Sequence, residues 1–377
     1  MEIARLKDLM AEGTLTRRQL LGALGAAGLA LGTMPLRPRR AHAAGEITLM
    51  TWVGYDVPEA MPAYVAKYGG MPNISIFGEE EEGLQKLRAG FNPDISHPCN
   101  YSVGRWRRAG LFKPLDASRL EHDGDLWPEL KALPDTRDAE GVWFMPWEWG
   151  TSSVLFRTDL APEYAGHANN SWKILFDPKY TDRLGVFDAV DGAVIVAALV
   201  AGVPDPFNMN DAELAQVKAL MMEQRKVLRS YWTDVASIEQ GLASGEIVAS
   251  YAWPFSVAPL KAQGLPVEYM LPKEGILTYA CGLMVLKDHP GPEDAIYDLI
   301  NAMQSPEAGS WLLANLGMGH SNKKAFDNVE PGVLAVLKDV GMDDPQSLFS
   351  NGVLFSPIED SLREKYGQML LDVKAGL

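Results

Sequence analysis

Cysteine is almost absent from this chain: Cys99 and Cys281 are the only two in 377 residues. They form no CxxC and no zinc spacing, so a thiol redox motif and a zinc finger are excluded. Histidine is also sparse. His42, His97, His122, His167, His289 and His320 are scattered, no pair has helical ligand spacing, and each reads as ordinary core or surface. HExxH, GxSxG, P-loop and EF-hand spacings are missing, so no metal site or cofactor is expected. A Ser-His-Asp site assembled from distant segments stays open, because triads are defined by geometry. Positive charge is short too. Lys and Arg total 34 against 49 Asp and Glu, a formal charge of −15. That excludes nucleic acid as a partner, since phosphate contacts need clustered Lys and Arg. No tandem repeat, low-complexity tract or Ser/Gly-rich linker is present, and no segment is apolar enough over its length to span a bilayer.

What is present begins with a leader. "LTRRQLLGALGAAGLALG" pairs Arg17 with Arg18 ahead of a mildly apolar run, and Ala41 to Ala43 offers small residues for cleavage. Residues 1–43 therefore read as a twin-arginine type export signal, with the mature chain starting at about Ala44 in the periplasm. The glycines of the leader follow no strand, so they are not a nucleotide loop. In an oxidising compartment a disulfide is open to Cys99 and Cys281. Sequence does not show that they meet, and two buried thiols are the expected state.

The length predicts two domains. After the leader, strands alternate with helices. Ile47 to Trp52 reads as a strand, and Met61, Tyr64, Val65 and Tyr68 fall at helical spacing before Gly69-Gly70. "NISIF" (Asn73 to Phe77) is the next strand and "GEEEEGLQKLRAG" the next helix. Its acids crowd the first turn, where the helix dipole favours them, and read as capping and a solvated face rather than a metal site. "DISH" (Asp94 to His97) ends the run. This β-α-β-α-β pattern implies a parallel sheet, with ligands beyond the carboxyl ends of its strands. A second α/β unit starts near Ser153, with strands at Leu184 to Phe187, in "GEIVASYAWP" and at Tyr279 to Lys287. Helices follow at Asp294 to Met303 and Leu362 to Val373. Several short strands are expected to cross between the two units.

Chemistry is suggested by aromatics and acids at strand ends. Trp52 and Tyr55 follow one strand and Tyr101 another. Trp147, Glu148 and Trp149 lie in "FMPWEWGTSS", Asp188 and Asp191 in "FDAVDGA". Trp253 ends "SYAWP" and Tyr279 starts "YACG". Core packing explains any one of these aromatics. The repeated placement after strands points to a cleft, where ring faces attract organic cations and carboxylates accept from ammonium groups. Asp188 and Asp191 have a second reading, as caps of the helix near Gly192.

With "TWVGYDVPE", "PCNYSVGRWRRAGLFKPLD", "MPWEWGTSSVLFRTD", "LFDPKYTDRLGVFDAVDGA", "LASGEIVASYAW", "MLPKEG" and "AMQSPEAGSWL" in this order, nearly the whole mature chain resembles the spermidine/putrescine-binding group of periplasmic solute-binding proteins of ABC importers. The resemblance implies an α/β, two-lobed periplasmic binding protein fold of type II. Each lobe would be a mixed sheet flanked by helices, joined by crossover strands and closing like a hinge. It places lobe I at 44–152 plus 280–322 and lobe II at 153–279 plus 323–377. It implies a monomer, not an enzyme, that captures a small cationic amine and delivers it to a membrane permease. Carried over by position, the ligand-binding residues are Trp52, Tyr55, Cys99, Tyr101, Asp188, Asp191, Trp253, Tyr279, Cys281 and Phe355, and the reading of strand ends adds Glu148. The family acid is replaced at Cys281, and Val53-Gly54 lacks one. A ligand with one cationic group near Asp188, Asp191 and Glu148, and an apolar end near Cys281 and Phe355, is therefore expected. The alternatives are another solute (a quaternary amine, an amino-acid derivative or a metal complex) and, in a different class, an exported hydrolase or redox enzyme.

Overall fold

The computed structural model describes residues 47–339 and 342–377; the expected export leader and its cleavage point lie outside them. The chain opens with β1 (Thr48–Thr51), α1 (Pro62–Tyr68), β2 (Asn73–Ile76), α2 (Glu80–Arg88) and β3 (Ile95–Ser96), close to the expected run. Helix α1 starts on a proline, whose missing N–H would have no partner there anyway. It stops at Gly69, which takes the left-handed φ of 77°. Helix α2 is capped by Glu79, whose carboxylate accepts from the amides of Glu81 and Glu82. Lys86 and Arg88 close its last turn, so Glu79 caps the helix as read, whereas Glu80 is buried and not on a solvated face. Strand β1 pairs in parallel with both β2 and β3.

The chain then forms β4 (Met145–Arg157), β5 (Leu184–Phe187), α3 (Ile195–Ala201), α4 (Asp211–Arg225), β6 (Leu228–Trp232), β7 (Ala249–Ala252) and β8 (Leu277–Leu286). It finishes with α5 (Glu293–Met303), β9 (Gly319–His320) and α6 (Asp360–Ala375), among further helices and short strands. The main sheet runs β2-β1-β3-β8-β4-β7-β5-β6. Parallel strands make up each end: β2-β1-β3 on one side and β7-β5-β6 on the other. Between them lie β8 and β4, antiparallel to each other and to their outer neighbours. The result is two α/β lobes sharing two crossing strands. Helix α6 packs on α4, so the C-terminus is held against the second lobe.

The crossing is made by two long strands, of 13 and 10 residues, not by several short ones. Every residue of β4 except Arg157 is buried. Both of its faces are covered, so there is no polar–apolar alternation to mark it, and its Gly-Thr-Ser-Ser centre resembles a loop. A bulge interrupts its pairing with β8. Cys281 stands opposite Glu148 but Gly282 opposite Pro146, which leaves Trp147 as the extra residue. Glycine is required at 282, because a Cβ there would lie 2.3 Å from the Met145 carbonyl oxygen. A bulge of this kind re-aims the side chains beside it, and Glu148 is one of them.

Candidate functional site

A cavity of about 110 Å³ opens where the carboxyl ends of strands from both lobes meet the crossing pair. All the sequence-predicted residues line it except Asp188. Trp52 and Tyr55 come from the turn after β1, Cys99 and Tyr101 from the loop after β3, and Glu148 from β4. Asp191 follows β5, Trp253 follows β7, Tyr279 and Cys281 lie on β8, and Phe355 comes from the C-terminal segment.

The aromatic walls are built from contacts that fix each ring. The Trp52 indole N–H donates to the His97 carbonyl at 2.9 Å, and its ring packs on Phe77 with centroids 4.4 Å apart. Tyr55 leans on Trp147 at 4.8 Å and meets His97 edge-on at 5.3 Å. Across the cavity, Trp253 stacks on Phe255 and meets Phe187 and Tyr251 at steep angles. Tyr101 packs on Phe355, which the Asn100 side chain also ties in by donating to its carbonyl at 2.8 Å.

Four carboxyl groups face the cavity: Glu79, Glu80, Glu148 and Asp191. Asp191 and Glu79 share Arg363, at 3.6 and 3.7 Å, so much of their charge is matched from within. Burial raises Glu79, and Asp191 raises it further, while the backbone N–H bonds of α2 and Arg363 hold it down. Burial pushes Glu80 up to about 8, although the Cys99 amide donates to it at 2.7 Å. Burial also pushes Glu148 up to about 8, and the Tyr55 hydroxyl offsets only part of this. Nε2 of His97 is 3.9 Å from Glu148, but burial lowers His97 to about 3. That contact joins two neutral groups near neutral pH and is not an ion pair.

Four expectations need correction. Asp188 is turned away from the cavity: the Lys374 ammonium, from the last turn of α6, holds both of its oxygens at 2.6 and 2.8 Å. Neither Asp188 nor Asp191 caps the following helical segment, which starts at Val190 with Ala189 in the capping position and no side-chain bond. Cys99 and Cys281 are not two separate thiols; they form a disulfide. They meet because β3 and β8, distant in sequence, are adjacent strands, and the two residues face one another just past the end of β3. The pole expected to be apolar, near Cys281, holds Glu148 as its cross-strand partner, so Glu148 is not grouped with Asp188.

Sequence reasoning missed Phe77, Glu80, Phe187, Tyr251, Phe255 and Met318. Phe77 and Phe187 sit at strand ends, so the signal that singled out Trp52 applies to them as well. Glu80 was hidden in a run whose neighbours cap a helix and face solvent.

Two lobes with aromatic and carboxyl groups in the cleft between them suit a protein that captures a small solute. The chain belongs to the bacterial extracellular solute-binding proteins, whose family profile matches residues 64–332. It is similar to the putrescine/agmatine-binding protein of Pseudomonas aeruginosa, 22% identical over 75% of this chain and 80% of that one. It is also similar to the putrescine-binding periplasmic protein PotF of Escherichia coli, at 23% over 82% and 86%. Among solved structures, it shares its fold with the spermidine/putrescine substrate-binding protein PotD of Streptococcus pneumoniae. There the TM-score is 0.70 at 16% identity, covering 88% of this chain and 99% of that one. The fold is shared equally with MotA of A. tumefaciens B6, solved with glucopine: TM-score 0.68, 16% identity, 87% and 99% covered. As a member of that family the chain is an extracellular solute-binding protein, and PotF, to which it is similar, is a periplasmic protein.

Proposed function

We propose that the cavity captures a small organic amine in its cationic form. The observation that carries this reading is the cavity wall itself: Trp52, Tyr55, Tyr101, Trp253 and Tyr279 surround buried carboxyl groups. Aromatic faces stabilise a cation stripped of water, and a carboxylate accepts its N–H bonds. The relatives named for putrescine, agmatine and spermidine support the same class. The match of Asp191 to Arg363 favours a ligand with few positive charges over a long polyamine.

In this reading, lobe I is 44–152 plus 280–322 and lobe II is 153–279 plus 323–377. Ligand contacts to both lobes favour the closed state, which a membrane permease then recognises. The protein acts as a monomer, exported through the twin-arginine signal of residues 1–43. A thermal-shift screen of the mature chain against putrescine, spermidine, butylamine, tetramethylammonium and neutral amino acids tests the ligand class. A primary amine should raise the melting temperature by mass action. A response to tetramethylammonium alone would move the reading to quaternary amines, and no response to any cation would end it.

A further inference from the structure

The acids of this region differ in what already holds them. Asp188 is bound by Lys374, Asp191 and Glu79 share Arg363, and Glu80 takes the Cys99 amide. Glu148 is only 1% exposed and lines the cavity, and its Oε2 has no hydrogen-bond partner among the described residues. A buried carboxyl oxygen in that position lacks a donor that an occupant of the cavity can supply.

We propose that Glu148 is the carboxylate that receives the ammonium group of the ligand, and that capture expels a proton from Glu148 to solvent. This rests on the amine reading above. The groups facing Glu148 come from each neighbouring element, and none supplies a positive charge. Tyr55, after β1, brings a hydroxyl, and Tyr279 and Cys281, on β8, bring a second ring and a disulfide. His97, after β3, is kept neutral by burial. His320, the register partner on β9, is also lowered by burial, and its ring nitrogens engage the Met303 carbonyl and the Asn322 amide. In the empty site Glu148 therefore holds its proton at neutral pH. An arriving ammonium provides the missing charge: the carboxyl O–H proton leaves to bulk water, and N–H bonds to the carboxylate replace it.

Affinity should then rise by about tenfold per pH unit below about pH 8 and level off above it. Titration calorimetry with putrescine and butylamine, in buffers of different ionisation enthalpy at pH 7, reads the proton count. Wild type should release about one proton per amine bound. E148Q should bind about tenfold or more weakly and release about none, while D188N should stay within about twofold, since Asp188 is outside the cavity. Urea unfolding of E148Q checks that it remains folded. If E148Q matches wild type in affinity and proton release, the assignment is wrong. It is equally wrong if the proton persists in E148Q and disappears in E80Q. If wild type itself binds neither amine, the amine reading fails and this assignment falls with it.

Discussion

Arg363 lies 3.6 Å from Asp191 and 3.7 Å from Glu79, joining the C-terminal helix α6 to carboxyl groups from both lobes. Asp191 is buried and the other two are partly buried, so removing the guanidinium leaves two acids with little access to water. Arg363→Met should cost about 3 kcal/mol of stability, in line with breaking a buried ionic group from one side. Urea unfolding at pH 7 measures it, and a loss below about 0.5 kcal/mol would mean that the two acids find other partners.

The disulfide makes a second prediction. Cys99 and Cys281 are 182 residues apart, and closing so long a loop restricts the unfolded chain by up to about 5 kcal/mol in the chain-entropy description. The Cys99→Ser, Cys281→Ser double variant should unfold at lower urea concentration than the oxidised protein. Adding dithiothreitol should shift wild type toward the variant and leave the variant unchanged.

Stability should fall as pH rises from about 6.5 to 8 in the ligand-free protein. Glu80 and Glu148, both raised to about 8, hold protons in the folded state that the unfolded chain releases near 4.5. Their contribution is fully present at low pH and is lost as pH passes the folded value. Each group accounts for about 1.4 kcal/mol per pH unit in that window. Below about 6.5, His97 and His320, lowered to about 3 and 4, act in the opposite sense, because the unfolded chain takes up protons first. The slope should therefore flatten there. Denaturation curves at half-unit pH steps test this, and E148Q should show about half the wild-type slope between 6.5 and 8.

Gly282→Ala should damage both the fold and the site. A Cβ at 282 meets the Met145 carbonyl oxygen at 2.3 Å and the Phe144 ring at 2.7 Å, and neither neighbour is free to move. A loss of about 3 kcal/mol is expected, as for overpacking in a closed core. Because the bulge beside it aims Glu148, amine affinity should drop in the folded fraction as well. Gly332→Ala, in a helix and meeting nothing within 4 Å, is the control that should leave affinity unchanged and stability equal or up to about 1 kcal/mol higher.

Trp253→Ala tests the aromatic wall. The ring is only partly buried and packs on Phe255 and Phe187, so stability should fall modestly. Amine affinity should fall by about 5- to 30-fold, the range of a desolvated cation–ring contact. Calorimetry separates the two effects.

The outer parts of the fold were legible in the sequence. The β1-α1-β2-α2-β3 run announced itself through helical spacing, the Gly69 stop and the acids of α2, all of them local signals. The cavity rim followed from strand ends, which is why Trp52, Tyr55, Tyr101 and Trp253 were readable. Long-range pairing was not. Strand β4 is covered on both faces and loses its alternation, so no periodicity marks the main crossing strand in the sequence. Asp188 and Asp191 are three residues apart and chemically alike. Which of them faces the cavity depends on Lys374 and Arg363, both on a helix at the other end of the chain. Cys99 meets Cys281 only because β8 returns beside β3.

That return has a covalent consequence. Most of the second lobe, with β4 to β7, is an excursion of the chain whose exit and re-entry are bonded together at Cys99 and Cys281. A protease that cuts once anywhere inside the excursion cannot separate the fragments while the bond is intact. The nicked protein should run as a single species on a denaturing gel without reductant and as two with it.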